Sequence, residues 1–226
     1  MFEDWKTFFS YTFGGMMSPT QEGMQLIWYA IYAAIAGLLL RIFWTRGDMI
    51  GLLPLGILFA LLFAFFFRNP ERNTQFSPDE IACPADGRVM TVRSEGDPKV
   101  IVVRIFLSVF DVHIQRATID GTIGQINYHK GKFAVASQPD AMDNERNRIE
   151  ISNGDRFAHV EQITGAVARR IVCWVKPGQQ VKAGERIGLI YFGSQVAIFL
   201  PADKVRVVVK PGQKVEGAVS VIGLWK

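Results

Sequence analysis

The sequence predicts a mostly β protein, an antiparallel β domain preceded by a hydrophobic helical hairpin, and three observations predict it. Two apolar runs of nineteen residues stand near the start, at 26–44 (LIWYAIYAAIAGLLLRIFW) and 49–67 (MIGLLPLGILFALLFAFFF). Beyond them the chain breaks into short stretches rich in Val and Ile, punctuated by Gly, Pro, Asn and Asp, which is how strands and their turns read. No apolar repeat of helical period lasts three turns there.

The hairpin comes first. At about 1.5 Å per residue each run makes a helix of roughly 28 Å, close to the hydrocarbon thickness of a bilayer. Only residues 45–48 (TRGD) separate the runs, so two spanning helices would return both flanks to one side. The apolar mass is doubled and begins too late for a cleaved export signal. It reads as an anchor occupying residues 1–68, and Pro54 is tolerable inside lipid. A pair of buried helices in a soluble core is the alternative. Arg41 and Arg46 mark the loop while Arg68 and Arg72 mark the far flank, so the positive-inside count is balanced and does not fix an orientation.

Charge and cysteine usage narrow the partners. The 226 residues carry a formal net charge of +4, and the excess lies in residues 76–226, with twenty basic side chains against sixteen acidic. That surplus suits an anionic membrane surface and is too small and dispersed to argue for nucleic acid. Cys83 and Cys173 lie far apart with no Cys-x-x-Cys pair. Neither a disulfide framework nor a zinc site has support, and a reducing, cytoplasm-facing compartment is the plain reading.

The expected strands of residues 69–226 are KVIVVRIFLS, HIQRATIDGTIGQINYH, NRIEISNGDRFAHVEQI, ARRIVCWVK, RIGLIYFGSQVAIFL and KVRVVVK, about a dozen once hairpins are divided. A Pro-Gly turn motif at 176–188 (KPGQQVKAGERIG) is echoed at 210–223 (KPGQKVEGAVSVIG). Paired hairpins of this kind resemble the halves of the barrel-sandwich architecture of lipoyl and biotinyl carrier domains, so a barrel-sandwich-like domain is expected.

Three features could carry chemistry. A histidine is the usual proton carrier near neutral pH, and the chain has His113, His129 and His159. Strand alternation would put Asp111 and His113 on one face, and Phe157, His159 and Glu161 on another. Each histidine reads equally well as a hydrogen-bonded or solvent-facing residue, and no two have metal-ligand spacing on one element, so no metal site is expected. PADG at 84–87 is a good turn, and its Asp86 can also orient a histidine by accepting an imidazole N–H. FGS at 192–194 lies between two apolar strands. A Gly-Ser step is common in hairpins, yet a serine hydroxyl held against the preceding carbonyl can convert that peptide to an ester, with glycine granting the geometry. Elimination and hydrolysis would then leave a pyruvoyl group on residue 194.

In order, FFRNPER (66–72), CPADGRV (83–89), FLSVFDVHIQRATIDG (106–121), YHKGKF (128–133), NERNRIEI (144–151), ARRIVCWVKPGQQVKAGERIG (168–188) and FGSQVAIFLP (192–201) resemble the blocks of the short class of phosphatidylserine decarboxylases. The resemblance implies a self-processing, pyruvoyl-dependent carboxy-lyase that forms phosphatidylethanolamine and carbon dioxide through a Schiff base. It implies cleavage between Gly193 and Ser194, giving chains 1–193 and 194–226, with Ser194 the precursor of the pyruvoyl cofactor. His113 would be the proton-transfer residue and Asp86 its orienting or charge-stabilising partner, with backbone donors near Gly193 serving the processing oxyanion. The implied partners are phosphatidylserine in the membrane and the two chains of one precursor, and a homo-oligomer is compatible. The implied location is the cell membrane, with the catalytic domain, residues 69–226, on the cytoplasmic side.

Lys130, Lys132, Arg146, Arg148, Arg169 and Arg170 are candidates to meet phosphate. Longer bacterial members have a second histidine three positions after the first, where this chain has Arg116. Val109 and Thr118 stand where the short class often has prolines, and Gln195 and Ala197 where Arg and Asp are frequent. A second reading is a membrane-tethered carrier or adaptor without catalysis. It needs a modifiable lysine at a hairpin tip, and Lys204 is the nearest candidate.

Overall fold

The computed structural model describes residues 20–43, 52–135, 143–166, 170–191 and 193–226. The chain divides into two compact units, Met1–Glu71 and Arg72–Lys226.

The first unit contains α1 (Gln21–Phe43) and α2 (Leu52–Phe66). Thr20 starts α1: its Oγ1 accepts the Gly23 N–H at 3.3 Å, with Glu22 in the first turn. A capped start satisfies an orphan amide and places a carboxylate at the positive end of the helix. The helix therefore begins ahead of the apolar run at residue 26. Pro54 lies in the first turn of α2, where a missing N–H costs no intrahelical bond. α1 buries Met24, Ile27, Ala30 and Ala34 at helical spacing. A Cβ on Gly56 would fall 2.6 Å from that of Ala34, the close backbone approach that small residues permit. Tyr29, Leu58 and Leu61 are among the large apolar side chains left exposed. Two spanning helices were expected. Among the described residues one, Gln21–Leu39, is long and apolar enough to cross a membrane, and the apolar stretch Pro54–Phe66 is shorter. The expected connector, residues 45–48, lies outside the described residues.

Among the described residues the elements of the second unit are strands: β1 (Glu80–Ala82), β2 (Gly87–Ser94), β3 (Val100–Leu107), β4 (Ile114–Arg116), β5 (Gly121–His129), β6 (Arg146–Asn153), β7 (Arg156–Ile163), β8 (Ile171–Cys173), β9 (Gln180–Val181), β10 (Arg186–Ile190), β11 (Ser194–Pro201), β12 (Val205–Val207), β13 (Lys214–Val215) and β14 (Val221–Trp225). Eight of these form one sheet in the order β13-β2-β3-β11-β7-β6-β5-β9, and two three-stranded sheets follow the orders β1-β14-β12 and β4-β10-β8. The ladders between these strands are antiparallel. Val103, Ile105, Ile149, Ile151, Val160, Val196 and Ile198 alternate inward from the large sheet and join Ile81, Ile187 and Ile222 of the small ones in one core.

The Pro-Gly echo belongs to a duplication that spans the unit. The offset of 34 residues between Pro177 and Pro211 also separates Asp86-Gly87 from Asp120-Gly121, and it carries β1 onto β4. The hydrogen bonds repeat with it. The Gly212 N–H donates to the Val89 carbonyl and the Gly178 N–H to the Ile123 carbonyl, each at 2.8 Å. β13 pairs with β2 at one edge of the large sheet, and β9 with β5 at the other. Both Asp-Gly glycines are required, since a Cβ at Gly87 would lie 2.1 Å from the Phe106 carbonyl oxygen and one at Gly121 2.4 Å from that of Ser152. This is the paired-half, barrel-sandwich-like arrangement that the sequence implied.

Candidate active site

The site forms where β3 ends and β11 begins. Ser194 opens β11 opposite Leu107, the last residue of β3. Gly193 precedes it with φ +66, a left-handed conformation that glycine adopts at little cost. Ser194 and His113 are both fully buried. The Ser194 hydroxyl has no hydrogen-bond partner, which is uncommon for a buried polar group. Phe192, the first residue of the FGS motif, lies outside the described residues.

A tight turn aims His113 at this step. The Ser108 N–H and hydroxyl donate to the Asp111 carboxylate at 2.9 and 2.8 Å, and the Asp111 N–H donates to the Ser108 carbonyl at 2.9 Å. The segment is therefore a turn and not a strand, and Asp111 does not share a strand face with His113 as alternation predicted. Its carboxylate folds back on Ser108, and its backbone carbonyl lies 2.9 Å from His113 Nδ1. On the other side the Gly193 N–H donates to His113 Nε2 at 3.1 Å. A backbone N–H can only donate, so Nε2 is unprotonated in this arrangement and Nδ1 carries the proton given to Asp111.

Behind the ring runs a chain of buried amides. Asn147 donates to Gln162 at 2.9 Å, Gln162 to Gln115 at 2.8 Å, and Gln115 to the His113 carbonyl at 2.8 Å. The three side chains are buried, and their connected bonds fix the backbone that carries the histidine. Nothing in the motif reading pointed to them. The signal was present, since Asn147 and Gln162 are polar residues in phase with the inward-facing Ile149, Ile151, Ala158 and Val160.

Asp86 is engaged elsewhere. Its two oxygens accept bidentate bonds from Arg72 at 2.6 and 2.7 Å, and Oδ1 also accepts the Gly217 N–H at 2.8 Å. The duplicate residue Asp120 accepts the Ala183 N–H at 2.7 Å, and Ala183 is the counterpart of Gly217 by the same offset. Holding the turn of the opposite hairpin is thus a scaffold task shared by both aspartates. The group on His113 Nδ1 is the Asp111 carbonyl, where the sequence suggested Asp86.

Arg116, at the position of the second histidine of longer members, donates to the Gly184 carbonyl at 2.9 Å. Burial, together with Arg72 and Arg186, lowers its pKa to about 10, so it stays cationic at neutral pH. His159 lies on β7 opposite Phe199, five residues along β11 from Ser194. His129 closes β5 at the exposed surface. Lys204, the carrier candidate, is tied to the Asp155 carboxylate at 2.8 Å. Arg169 lies outside the described residues. Among the described residues no cluster of His, Cys, Asp and Glu suits a metal ion.

Fold and site together define a duplicated antiparallel β scaffold that encloses one histidine and one glycine-serine step. Residues 59–223 match the family described as phosphatidylserine decarboxylase. A phosphatidylserine decarboxylase proenzyme of Carboxydothermus hydrogenoformans is 44% identical over 181 residues, covering 76% of this chain and 85% of the relative. One from Solibacter usitatus is 40% identical over 197 residues, covering 87% and 93%. One from Saccharopolyspora erythraea is 41% identical over 204 residues, covering 86% and 84%. The chain belongs to the phosphatidylserine decarboxylase family.

Proposed function

We propose that this chain decarboxylates phosphatidylserine to phosphatidylethanolamine and that it gains activity by cutting itself between Gly193 and Ser194. The observation that carries the reading is the Ser194 hydroxyl, buried without a hydrogen-bond partner directly after a left-handed glycine whose N–H rests on His113. Such an unpaired group costs about 1–3 kcal/mol, and a poised nucleophile accounts for that cost.

In processing, the Ser194 hydroxyl adds to the Gly193 carbonyl carbon and its proton passes to His113. Collapse returns that proton to the Ser194 nitrogen as the C–N bond breaks, leaving an ester. Loss of the Ser194 α-proton expels the Gly193 carboxylate, and water displaces the nitrogen as ammonia, leaving a pyruvoyl group at residue 194. Arg116 is too basic to accept the proton, so His113 serves this step and the later protonation of the decarboxylated carbon. Once formed at residue 194, the pyruvoyl group would supply an electrophilic carbonyl for an amine substrate and an electron sink for decarboxylation. The Asp111 carbonyl holds Nδ1, the amide chain holds the backbone, and Nε2 remains the atom that moves the proton. Asp86 acts as a positioning residue through Arg72 and the Gly217 turn.

The apolar α1 supports attachment to the cell membrane, and the two free cysteines, Cys83 and Cys173, favour a catalytic domain on the reducing, cytoplasmic side. Extraction of each acyl methylene costs about 0.8 kcal/mol, which favours an enzyme that works beside the bilayer.

Intact mass of the purified chain tests the reading. The wild type should give residues 1–193 and a blocked fragment 194–226, Ser194→Ala should stay whole, and the cleaved form alone should release carbon dioxide from phosphatidylserine. A whole wild-type chain with full activity would overturn it.

A further inference from the structure

The register of the large sheet gathers several loops at one end. Ser194 pairs with Leu107, Gln195 with Ile163, Ile163 with Arg146, and Arg146 with His129. The segments that leave these residues, at 108–113, 130–135, 143–145 and 164–166, therefore emerge at the end where β11 begins. Large apolar side chains are exposed there: Phe110 at 73%, Val135 at 53%, Tyr128 at 51%, Val109 at 46% and Phe133 at 38%. The turns at the opposite end, 95–99, 153–155 and 202–204, expose none, and elsewhere among the described residues of Arg72–Lys226 the exposed large apolar ones are Val208 and Val219.

The display of Phe110 is built. Ser108 and Asp111 close the turn through both backbone and side chain, and the Phe110 N–H points back to the Ser108 hydroxyl at 3.3 Å. A turn fixed in this way presents its apex without an ordering cost on binding. Basic groups share the rim. Lys130 and Lys132 follow β5, and the Arg170 guanidinium lies 5.7 Å from the Tyr191 ring. Two of the acids at this end are already paired, Asp143 with Lys132 and Asp111 with Ser108. Apolar tips among basic side chains match the boundary between anionic head groups and acyl chains.

We propose that this rim is a membrane-insertion surface. Val109, Phe110, Phe133 and Val135 enter an anionic phospholipid bilayer, while Lys130 and Arg170 meet its phosphates, so that the end of the sheet carrying Ser194 faces the lipid head groups. The proposal deepens the decarboxylase reading and rests on it for the identity of the lipid.

The test uses the full chain in phosphatidylserine–phosphatidylcholine vesicles, in a Cys173→Ser background, with an environment-sensitive thiol dye at Phe110→Cys or, at the opposite end, Asp97→Cys. The dye at 110 should shift to the blue and be quenched by brominated acyl chains, while the dye at 97 does neither. Equal responses at the two positions would overturn the proposal. So would a blue shift at 110 that grows with protein concentration without vesicles, since a second copy of the chain would then cover the rim. In unlabelled protein, Phe110→Ser and Val135→Ser should each lower the ratio of turnover on vesicles to turnover on dispersed short-chain phosphatidylserine, by about tenfold for Phe110. An unchanged ratio would overturn the proposal. Chain cleavage and carbon dioxide release from the dispersed substrate report on the decarboxylase reading separately.

Discussion

The two halves of the β unit share a framework and differ in what it carries. Each has an Asp-Gly turn whose carboxylate accepts an N–H from the opposite hairpin, and each has a Pro-Gly loop bonded to the large sheet. At the position before the first short strand, one half has His113 and the other has Asp79, whose side chain pairs with Arg156 at the surface. The carboxylate that looks catalytic by motif, Asp86, has a structural twin in Asp120, whereas His113 is matched by a residue of different chemistry. What is duplicated serves the scaffold, and what is not duplicated is the place to look for the reaction.

The sharpest way to break this comparison is to exchange the unlike pair. His113→Ala should slow self-cleavage and carbon dioxide release by about 10²–10⁴-fold, while Asp79→Ala should leave both within experimental scatter, as intact mass and product assays would reveal. Next come the twins. Asp86→Ala leaves the largely buried Arg72 guanidinium without its carboxylate, with the Gly217 carbonyl as its remaining acceptor, and should cost about 3 kcal/mol. Asp120→Ala loses one hydrogen bond, about 0.5–1.5 kcal/mol. Urea midpoints measured in detergent compare them, and equal losses would show that the Arg72 pair adds nothing.

A third pair probes the backbone. Gly184 has φ +86, and its counterpart Ala218 has φ +54. Gly184→Ala places a methyl 3.1 Å from the Ala218 Cβ and should lower stability by about 1–2 kcal/mol. The smallest effect concerns His159, whose pKa burial holds below its ordinary 6.5, against the pull of Glu150. A base depressed by folding takes up protons more readily when unfolded. Its contribution is complete above about pH 6.5 and is lost as pH falls below that value. Because the ring is partly exposed, His159→Phe should flatten the acid limb of the stability profile by only about a few tenths of a kcal/mol.

Much of this was legible in the sequence. Val- and Ile-rich runs between turn residues became strands because alternation and turn chemistry agree along them. The KPGQ echo announced the paired halves. Its companion, PADG against TIDG, is faint in the sequence because only Asp and Gly persist while their neighbours change. Alternation puts Asp111 and His113 on one face, and period-two reasoning fails there because Ser108 and Asp111 close a turn. The Asn147-Gln162-Gln115 chain was invisible as a motif, since its members are distant in sequence and meet only through strand pairing. Helix α1 began early because a capping threonine, and not hydrophobicity, sets its start.

Strand β11 has a final consequence. It lies in the middle of the large sheet, bonded to β3 on one side and β7 on the other. A backbone break just before Ser194 would leave the severed piece clamped along most of its length, so the mature molecule would persist as a noncovalent pair. Reassembly after denaturation would then be a bimolecular event that depends on dilution. Its durability would be a matter of how slowly the sheet unzips, since the linkage that first joined the pieces could not be restored.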